Sequence, residues 1–303
     1  MIQPESIVVV LPVHSRREMT LTCLRTLFRQ SISGFKVIVV DSGSTDGTAD
    51  AVEAEFPDVI VLRHGNLWWS GATNKGIERA LAEHAEFVLT INDDVELSEN
   101  YLDAMMRAAD RHPTALMGSY EFNIKTRQPV SCGERALWSL GKAQKLVQTV
   151  PEECRHGLLT ITYAPARGLW IPAEAFRRIG LIDAKRLPHY CADLDFTARA
   201  ASNGFELFIN FDAVLFCHRE LSGAPELRAH YSWKNYWIHL FGIQGGGNLK
   251  NFTTFAFRHC PWPYLPLYWP IGSLRCAGGY LRDWALCVIS RRFGDGRRAR
   301  AGV

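Results

Sequence analysis

Short runs of β-branched and aliphatic residues alternate with amphipathic stretches through the first hundred residues, the pattern of parallel strands joined by helices. Strands are predicted at Ile7 to Leu11, Lys36 to Val40, Val59 to Leu62 and Phe87 to Ile91. Ser15-Arg16-Arg17-Glu18 reads as a capping box opening a helix whose Leu21, Leu24, Leu27 and Phe28 share one face. Ser70 is expected to cap a second helix carrying Ile77, Ala80 and Leu81, and Ser98 a third carrying Leu102, Met105 and Ala109. Beyond residue 112 the rhythm loosens, and Asn123 to Glu153 shows no period and is expected to be irregular. Order resumes with a strand at Leu158 to Tyr163, a helix opening at Pro172, a helix from Asp193 to Asn203 closed by Gly204, and strands at Phe205 to Asn210 and Ala213 to Cys217. After Ser222 the chain becomes rich in Trp, Tyr, Phe and Pro.

With 47% hydrophobic and 21% charged residues in 303, the chain is globular, and disorder or a fibre is excluded. A net charge of +3 argues against a nucleic-acid binder with a basic body. The charge is uneven: from Arg275 onward seven Arg face two Asp, which points to an anionic surface as partner. The eight cysteines form no C-x-x-C pair, and the N-terminus enters a strand directly without a cleavable signal pattern, so reduced thiols and a cytoplasmic location are expected. The apolar stretch nearest to a spanning length, Pro261 to Leu274, carries four prolines, so an ordinary spanning helix is not expected, whereas an interfacial segment is compatible.

In open parallel sheets ligands sit beyond the carboxyl ends of strands. Four polar clusters follow the predicted strands: Pro12-Val13-His14-Ser15, Asp41 to Gly47, Asn66 to Gly76, and Asn92-Asp93-Asp94. The Asp41 cluster suits either a base and ribose or a helix-capping turn. The first strand lacks the G-x-G-x-x-G of a dinucleotide site. Adjacent Asp93 and Asp94 at the end of an apolar run repel each other unless a cation or donors compensate, which suits Mg²⁺ or Mn²⁺ with substrate phosphates, or else a solvated turn. His218, ending another apolar run, is either a further ligand or a structural histidine. Asp193 and Asp195 sit near a helix start, where capping explains one of them and a general base would use the other.

In order, these segments resemble a family 2 glycosyltransferase of the GT-A type, inverting enzymes that use nucleotide-diphosphate sugars. The similarity spans residues 5 to 222 and rests on VVVLPVHSR, VVDSGSTDGT, Asn66 with GATNKG, INDDVEL, ARGLWIP, IGLID and ADLDF. It implies a GT-A fold, α/β with a Rossmann-like, mostly parallel sheet flanked by helices. Residues 1–228 would form that domain, 1–112 its nucleotide-binding half and 113–228 its acceptor half, followed by a helical segment at 229–303. By position in these motifs, Pro12, His14 and Asp41 would line the base and ribose pocket, and Asn74 and Lys75 would approach ribose and diphosphate. Asp93 would face the donor ribose or sugar, Arg167 would close the donor pocket and Trp69 would lie beside the sugar. Asp94 and His218 would hold Mg²⁺ or Mn²⁺, Asp193 would be the catalytic base, and Asp195 would support the helix or an acceptor hydroxyl.

The resemblance departs at Asn92 and Ala192, where the family often has acids. It implies a UDP- or dTDP-sugar donor and a saccharide or lipid-linked saccharide acceptor in bacterial envelope polysaccharide assembly. In the C-terminal segment, Tyr231, Lys234 and Asn235 are candidate donor contacts, and the basic, aromatic helix fits peripheral membrane contact, an oligomer interface or packing on the catalytic domain. A nucleotidyltransferase would need a Gly-rich basic loop that His14-Ser15-Arg16-Arg17 does not supply, and the alternative outside enzymes is a non-catalytic nucleotide-sugar-binding or scaffold protein.

Overall fold

Every residue of the strand Ile7–Val13 (β1) is buried, which requires cover on both faces and neighbours on both edges. The computed structural model describes residues 1–218 and 230–292. It divides into two units, one built from Met1–Ala136, Gln144–Pro188 and Ala192–His218, the other from Leu137–Ala143, His189–Cys191 and the described residues beyond His218. The expected boundary at residue 228 lies outside the described residues.

In the first unit, β1 leads into the helix Arg17–Leu27 (α1), then Lys36–Ser42 (β2), Thr48–Glu55 (α2), Ile60–His64 (β3), Trp68–Ala82 (α3) and Phe87–Thr90 (β4). Val95–Leu97 (β5), Tyr101–Arg111 (α4) and Leu116–Asn123 (β6) follow. The stretch expected to be irregular carries Pro129–Ser131 (β7) and, among short 3-10 turns, a hairpin of Glu134–Leu137 (β8) and Lys142–Lys145 (β9) whose middle, Leu137–Ala143, belongs to the second unit. Leu158–Thr160 (β10), Leu169–Pro172 (β11), Ala173–Ile179 (α5), Ala192–Ser202 (α6) and Leu207–Cys217 (β12) complete the unit.

The main sheet has ten strands, eight of them in the order β10-β12-β6-β11-β4-β1-β2-β3. Neighbours β3, β2, β1 and β4 are parallel, and so are β6 and β12. Because β11 runs against both β4 and β6, all six of these strands point the same way and their carboxyl ends share one edge. The start of β11 comes to that same edge.

The two strands expected at residues 205–217 are one, with a register shift between Asn210 and Val214. Asn210 causes the break locally: its amide donates to the Ala104 carbonyl at 2.9 Å and its oxygen accepts from the Asp212 N–H at 3.1 Å. The three expected serine caps are replaced. The Ser15 hydroxyl accepts from the Thr45 N–H at 3.2 Å, and the first turn of α1 is capped instead by Asp46, which accepts from the Arg17 N–H at 3.0 Å. Ser70 lies inside α3 and donates to the Leu187 carbonyl at 2.6 Å. Asn100 rather than Ser98 precedes α4, where the Ser98 carbonyl accepts from the Tyr101 N–H at 3.0 Å.

The second unit holds Trp233–Phe241 (α7), Leu249–His259 (α8) and Leu265–Arg292 (α9), the last with Pro270 inside it. Ser232 and Asn248 cap the first two through the backbone N–H of Asn235 and Asn251. Tyr268 of α9 stacks on Phe252 of α8 with ring centroids 5.5 Å apart, and Tyr280 meets Tyr236 of α7 at 5.5 Å. Among the described residues no helix is long and apolar enough to cross a membrane. All eight cysteines are free.

Gly76 lets α3 seat directly on β1 and β2, since a Cβ there would collide with the Val10 side chain and stand 3.2 Å from a Val40 methyl. Gly76→Val should therefore destabilise the protein by about 2 kcal/mol, because the cost of overpacking exceeds the gain in helix propensity. Urea unfolding reads this, and an unchanged midpoint would show that the helix is not seated there.

Candidate active site

The shared edge of the six parallel strands collects the polar residues that follow each apolar run. At the end of β1, His14 Nδ1 lies 2.9 Å from the Ser42 carbonyl of β2, and Val13 pairs with Asp41 across the ladder. Asp41 is buried, and its Oδ1 accepts from the Ser44 N–H at 2.7 Å, so the Asp41 turn both caps itself and borders His14 and Pro12. Ser15 and Trp68 adopt positive φ of 48° and 55°, a conformation that L side chains rarely take. The residues after them, Arg16 and Trp69, reach the end of β4.

There Asn92, Asp93 and Asp94 are engaged in three different ways. The Asn92 Oδ1 accepts from the Trp69 indole Nε1 at 3.0 Å. Asp93, 6% exposed, pairs with Arg16 Nη1 at 3.1 Å. Asp94, 3% exposed, lies 3.6 Å from Arg167 Nε, and its carbonyl accepts from the His218 N–H at 3.0 Å. Arg167 also bonds Glu121 of β6 through Nη1 at 2.8 Å. Two guanidiniums, the partly exposed Arg16 and the more buried Arg167, therefore compensate the adjacent acids.

The position of Arg167 follows from its neighbours in the chain. Thr90 of β4 accepts from the Gly168 N–H at 3.0 Å and donates its hydroxyl to the Ala166 carbonyl at 3.1 Å, pinning the residues on both sides. Gly168 has φ +74°, and a Cβ there would collide with Ser119 and stand 2.6 Å from the Tyr101 hydroxyl. Its carbonyl accepts from Ser119 Oγ at 2.6 Å and from the Tyr101 hydroxyl at 3.2 Å. Only glycine fits that turn.

Asp193, in the first turn of α6, accepts from the Ala166 N–H at 3.2 Å and from the Leu194 N–H at 2.9 Å. Burial raises its pKa against those hydrogen bonds and the Arg167 charge. Burial likewise raises Glu121, with Asp94 and Asp193 adding to the rise, which places all three acids in one electrostatic neighbourhood. Glu134 is raised by burial as well, with Asp193 and Glu121 contributing.

Other expected site residues stand apart. Asn74 clamps the backbone of Ile182, donating to its carbonyl at 2.8 Å and accepting from its N–H at 3.1 Å. Lys75 pairs with Glu78 at 2.7 Å on the exposed side of α3. Asp195 is fully buried and bonds Arg199 Nε at 3.1 Å, which turns the guanidinium onto the carbonyls of Ile179 and Leu181. Arg16 and Glu121 were not singled out from sequence. For Glu121 the signal is a lone acid inside the apolar run Leu116–Asn123; for Arg16 it is only its place two residues after His14.

A divalent cation fits the chemistry of this cluster. Asp93, Asp94, Glu121 and Asp193 outnumber Arg16 and Arg167 by two charges when all are ionised, and carboxylate oxygens suit Mg²⁺ or Mn²⁺. Among the described residues no three His, Cys, Asp or Glu side chains converge on one point.

The chain matches the model of the family described as "Glycosyl transferase family 2" over residues 8–161. It is 36% identical over 272 residues to the N-acetylglucosaminyl-diphospho-decaprenol L-rhamnosyltransferase of Mycobacterium tuberculosis, covering 78% of this chain and 80% of that one. Its fold is similar to that of a mannosyltransferase from Pyrobaculum calidifontis in complex with GDP-Man and Mn²⁺, at TM-score 0.57 and 18% identity, over 98% of this chain and 82% of that one. GalNAc-T7 with UDP, GalNAc and Mn²⁺ gives a TM-score of 0.59 at 12% identity, over 84% of this chain and 54% of that one.

Two outcomes follow from the charge balance. Burial raises the Asp93 carboxyl to about 6 despite Arg16, so between about pH 4 and 6 the folded state holds a proton that the unfolded chain has lost. The folded protein binds more protons there, so stability falls as pH rises through this window, by on the order of 3 kcal/mol for Asp93 alone, with Asp193 and Glu121 acting in the same direction. Denaturant titration at several pH values should show the fall, and Asp93→Asn should flatten it; an equal slope in the variant would refute the assignment. Arg167→Met should cost about 3–5 kcal/mol by stranding Glu121 beside Asp94, and adding Glu121→Gln should recover part of the loss.

Proposed function

The chain belongs to glycosyl transferase family 2 and is a glycosyltransferase of GT-A fold, and within that family we propose that it transfers a sugar with inversion from a UDP- or dTDP-sugar to a lipid-linked saccharide in bacterial envelope assembly. The observation that supports the reading is the meeting of a buried carboxylate, Asp193, with the Arg167-linked acids Asp94, after β4, and Glu121, in β6. The rhamnosyl activity named for the mycobacterial relative makes a deoxyhexose the first sugar to test, and its acceptor name makes a polyprenyl diphosphate saccharide the first acceptor.

In this mechanism Asp41, with Pro12 and His14, accepts from the ring N–H of the uracil or thymine, and Asp93 faces the ribose or sugar. Trp69, fixed by Asn92, offers an aromatic face beside the donor. Asp193 removes the proton from the acceptor hydroxyl as that oxygen attacks the anomeric carbon, and the bond to the diphosphate oxygen breaks on the opposite side. Burial serves this step, since a carboxylate with a raised pKa is a stronger base. Asp94, with His218 next to it, would hold Mg²⁺ or Mn²⁺, which when bound neutralises charge on the departing diphosphate. Arg16 and Arg167 add fixed positive charge in the same neighbourhood. Lys75 and Asn74 would contribute only by leaving Glu78 and Ile182, and Asp195 acts by holding α6 through Arg199. A lipid-linked acceptor brings the reaction to the inner face of the plasma membrane.

A thermal-shift panel of UDP- and dTDP-sugars with and without Mn²⁺, followed by a transfer assay, tests this reading. One nucleotide should raise the melting temperature in a Mn²⁺-dependent way that Asp94→Ala abolishes. Asp193→Asn should keep the donor-induced shift while losing transfer by about a thousandfold. No shift with any nucleotide sugar would leave a scaffold as the better description, and an active Asp193→Asn would remove Asp193 as the base.

A further inference from the structure

Eighteen large apolar side chains stand exposed among the described residues, and sixteen of them belong to the second unit. Folded monomers seldom present so concentrated an apolar surface to water. On α9 they follow a helical rule. Tyr268, Gly272 and Tyr280 repeat every four or eight residues on the buried face, whereas Leu267, Ile271, Leu274, Leu281 and Val288 recur at steps of four, three, seven and seven on the face opposite. Leu274 is 72% exposed. On α7 the same holds for Trp233, Trp237 and Phe241, four residues apart and all exposed, with Trp233 5.3 Å from Trp284 of α9. The two stripes thus belong to adjoining helices of one unit.

Charge decides what covers them. From His230 to the end, ten Lys and Arg face two Asp, a net +8, whereas the preceding 229 residues carry −5. A second copy would bring +8 against +8. An anionic bilayer would be attracted, and exposed tryptophan beside basic residues is what the interface between headgroups and acyl chains accommodates. No helix of the described residues could cross that bilayer, so the contact is in its plane. We propose that the outer faces of α7 and α9 form a docking surface for an anionic lipid membrane. The reading of the acceptor as lipid-linked gives this surface its purpose, and the proposal rests on it in that respect.

The test uses the full chain with sedimenting vesicles that contain neither donor nor acceptor, so that its failure is separate from any failure of the transferase reading. Vesicles of phosphatidylcholine with phosphatidylglycerol should bind the protein, more weakly in high salt, and tryptophan emission should shift to the blue on binding. Phosphatidylcholine alone should bind it less. Leu274→Asp with Leu281→Asp should lower the partition coefficient by about tenfold or more while leaving the donor-induced thermal shift intact. Trp233→Ala with Trp237→Ala, a milder change, should lower it several-fold and shrink the blue shift. Absence of binding to anionic vesicles, or binding that neither double variant weakens, would overturn the proposal. So would a dimer in sedimentation velocity that the Leu274→Asp, Leu281→Asp variant dissociates while vesicle binding is absent.

Discussion

The first unit is organised around a problem of charge. Its parallel strands end in acids that the sheet buries, and Asp93, Asp94 and Glu121 are each less than a tenth exposed. Removing such carboxylates from water is costly unless opposite charge meets them. Two guanidiniums do so, Arg16 from the turn after β1 and Arg167 from the turn before β11. Both reach the cluster because the sheet brings those turns to one edge: β1 lies beside β4, and β11 is inserted antiparallel between β4 and β6. The compensation is incomplete, since desolvation still raises Asp93, Glu121 and Asp193. A site left short of positive charge has the electrostatics that the proposed divalent cation would complement.

The backbone around Arg167 shows how much local structure this arrangement requires. Thr90 pins Ala166 and Gly168, and the Gly168 carbonyl is held in turn by Ser119 and Tyr101. Tyr101 is completely buried at the start of α4, so a helix on one side of the sheet is tied to the turn that carries the arginine. Asp193 accepts from the N–H of Ala166 in the same turn. Asp193 and the cation that balances the acids are therefore anchored on one three-residue segment, Ala166 to Gly168, and a shift in that segment displaces both.

Much of this was legible in sequence, but unevenly. The strands β1, β2, β3 and β4 announce themselves as apolar β-branched runs, and the polar residues after them mark the edge where the acids gather. Less legible were elements whose period is too short to register: α2 is eight residues long with Ala49 and Val52 as its buried apolar residues, and β5 and β11 have three and four residues. Serine caps were misassigned because a hydroxyl before a helix can be used elsewhere; Ser15 answers Thr45, thirty residues away. Side-chain partners across the sheet were the least legible. Nothing near Asn74 in the chain foretells Ile182, and nothing near Asp94 foretells Arg167, because these pairs are made by strand order and not by spacing.

Asn92 shows what a departure from a family pattern can mean physically. An acid there would add a third carboxylate to Asp93 and Asp94, against the same two guanidiniums. The amide avoids that charge, and its oxygen is instead given to the indole of Trp69. Trp69 follows Trp68, whose φ of 55° is a strained conformation held at the head of α3, and the Trp69 indole is tied through its nitrogen to Asn92. The residue at 92 and the aromatic residue at 69 are thus one structural feature: the strand end carries an amide in place of a charge, and that amide holds an aromatic side chain beside it.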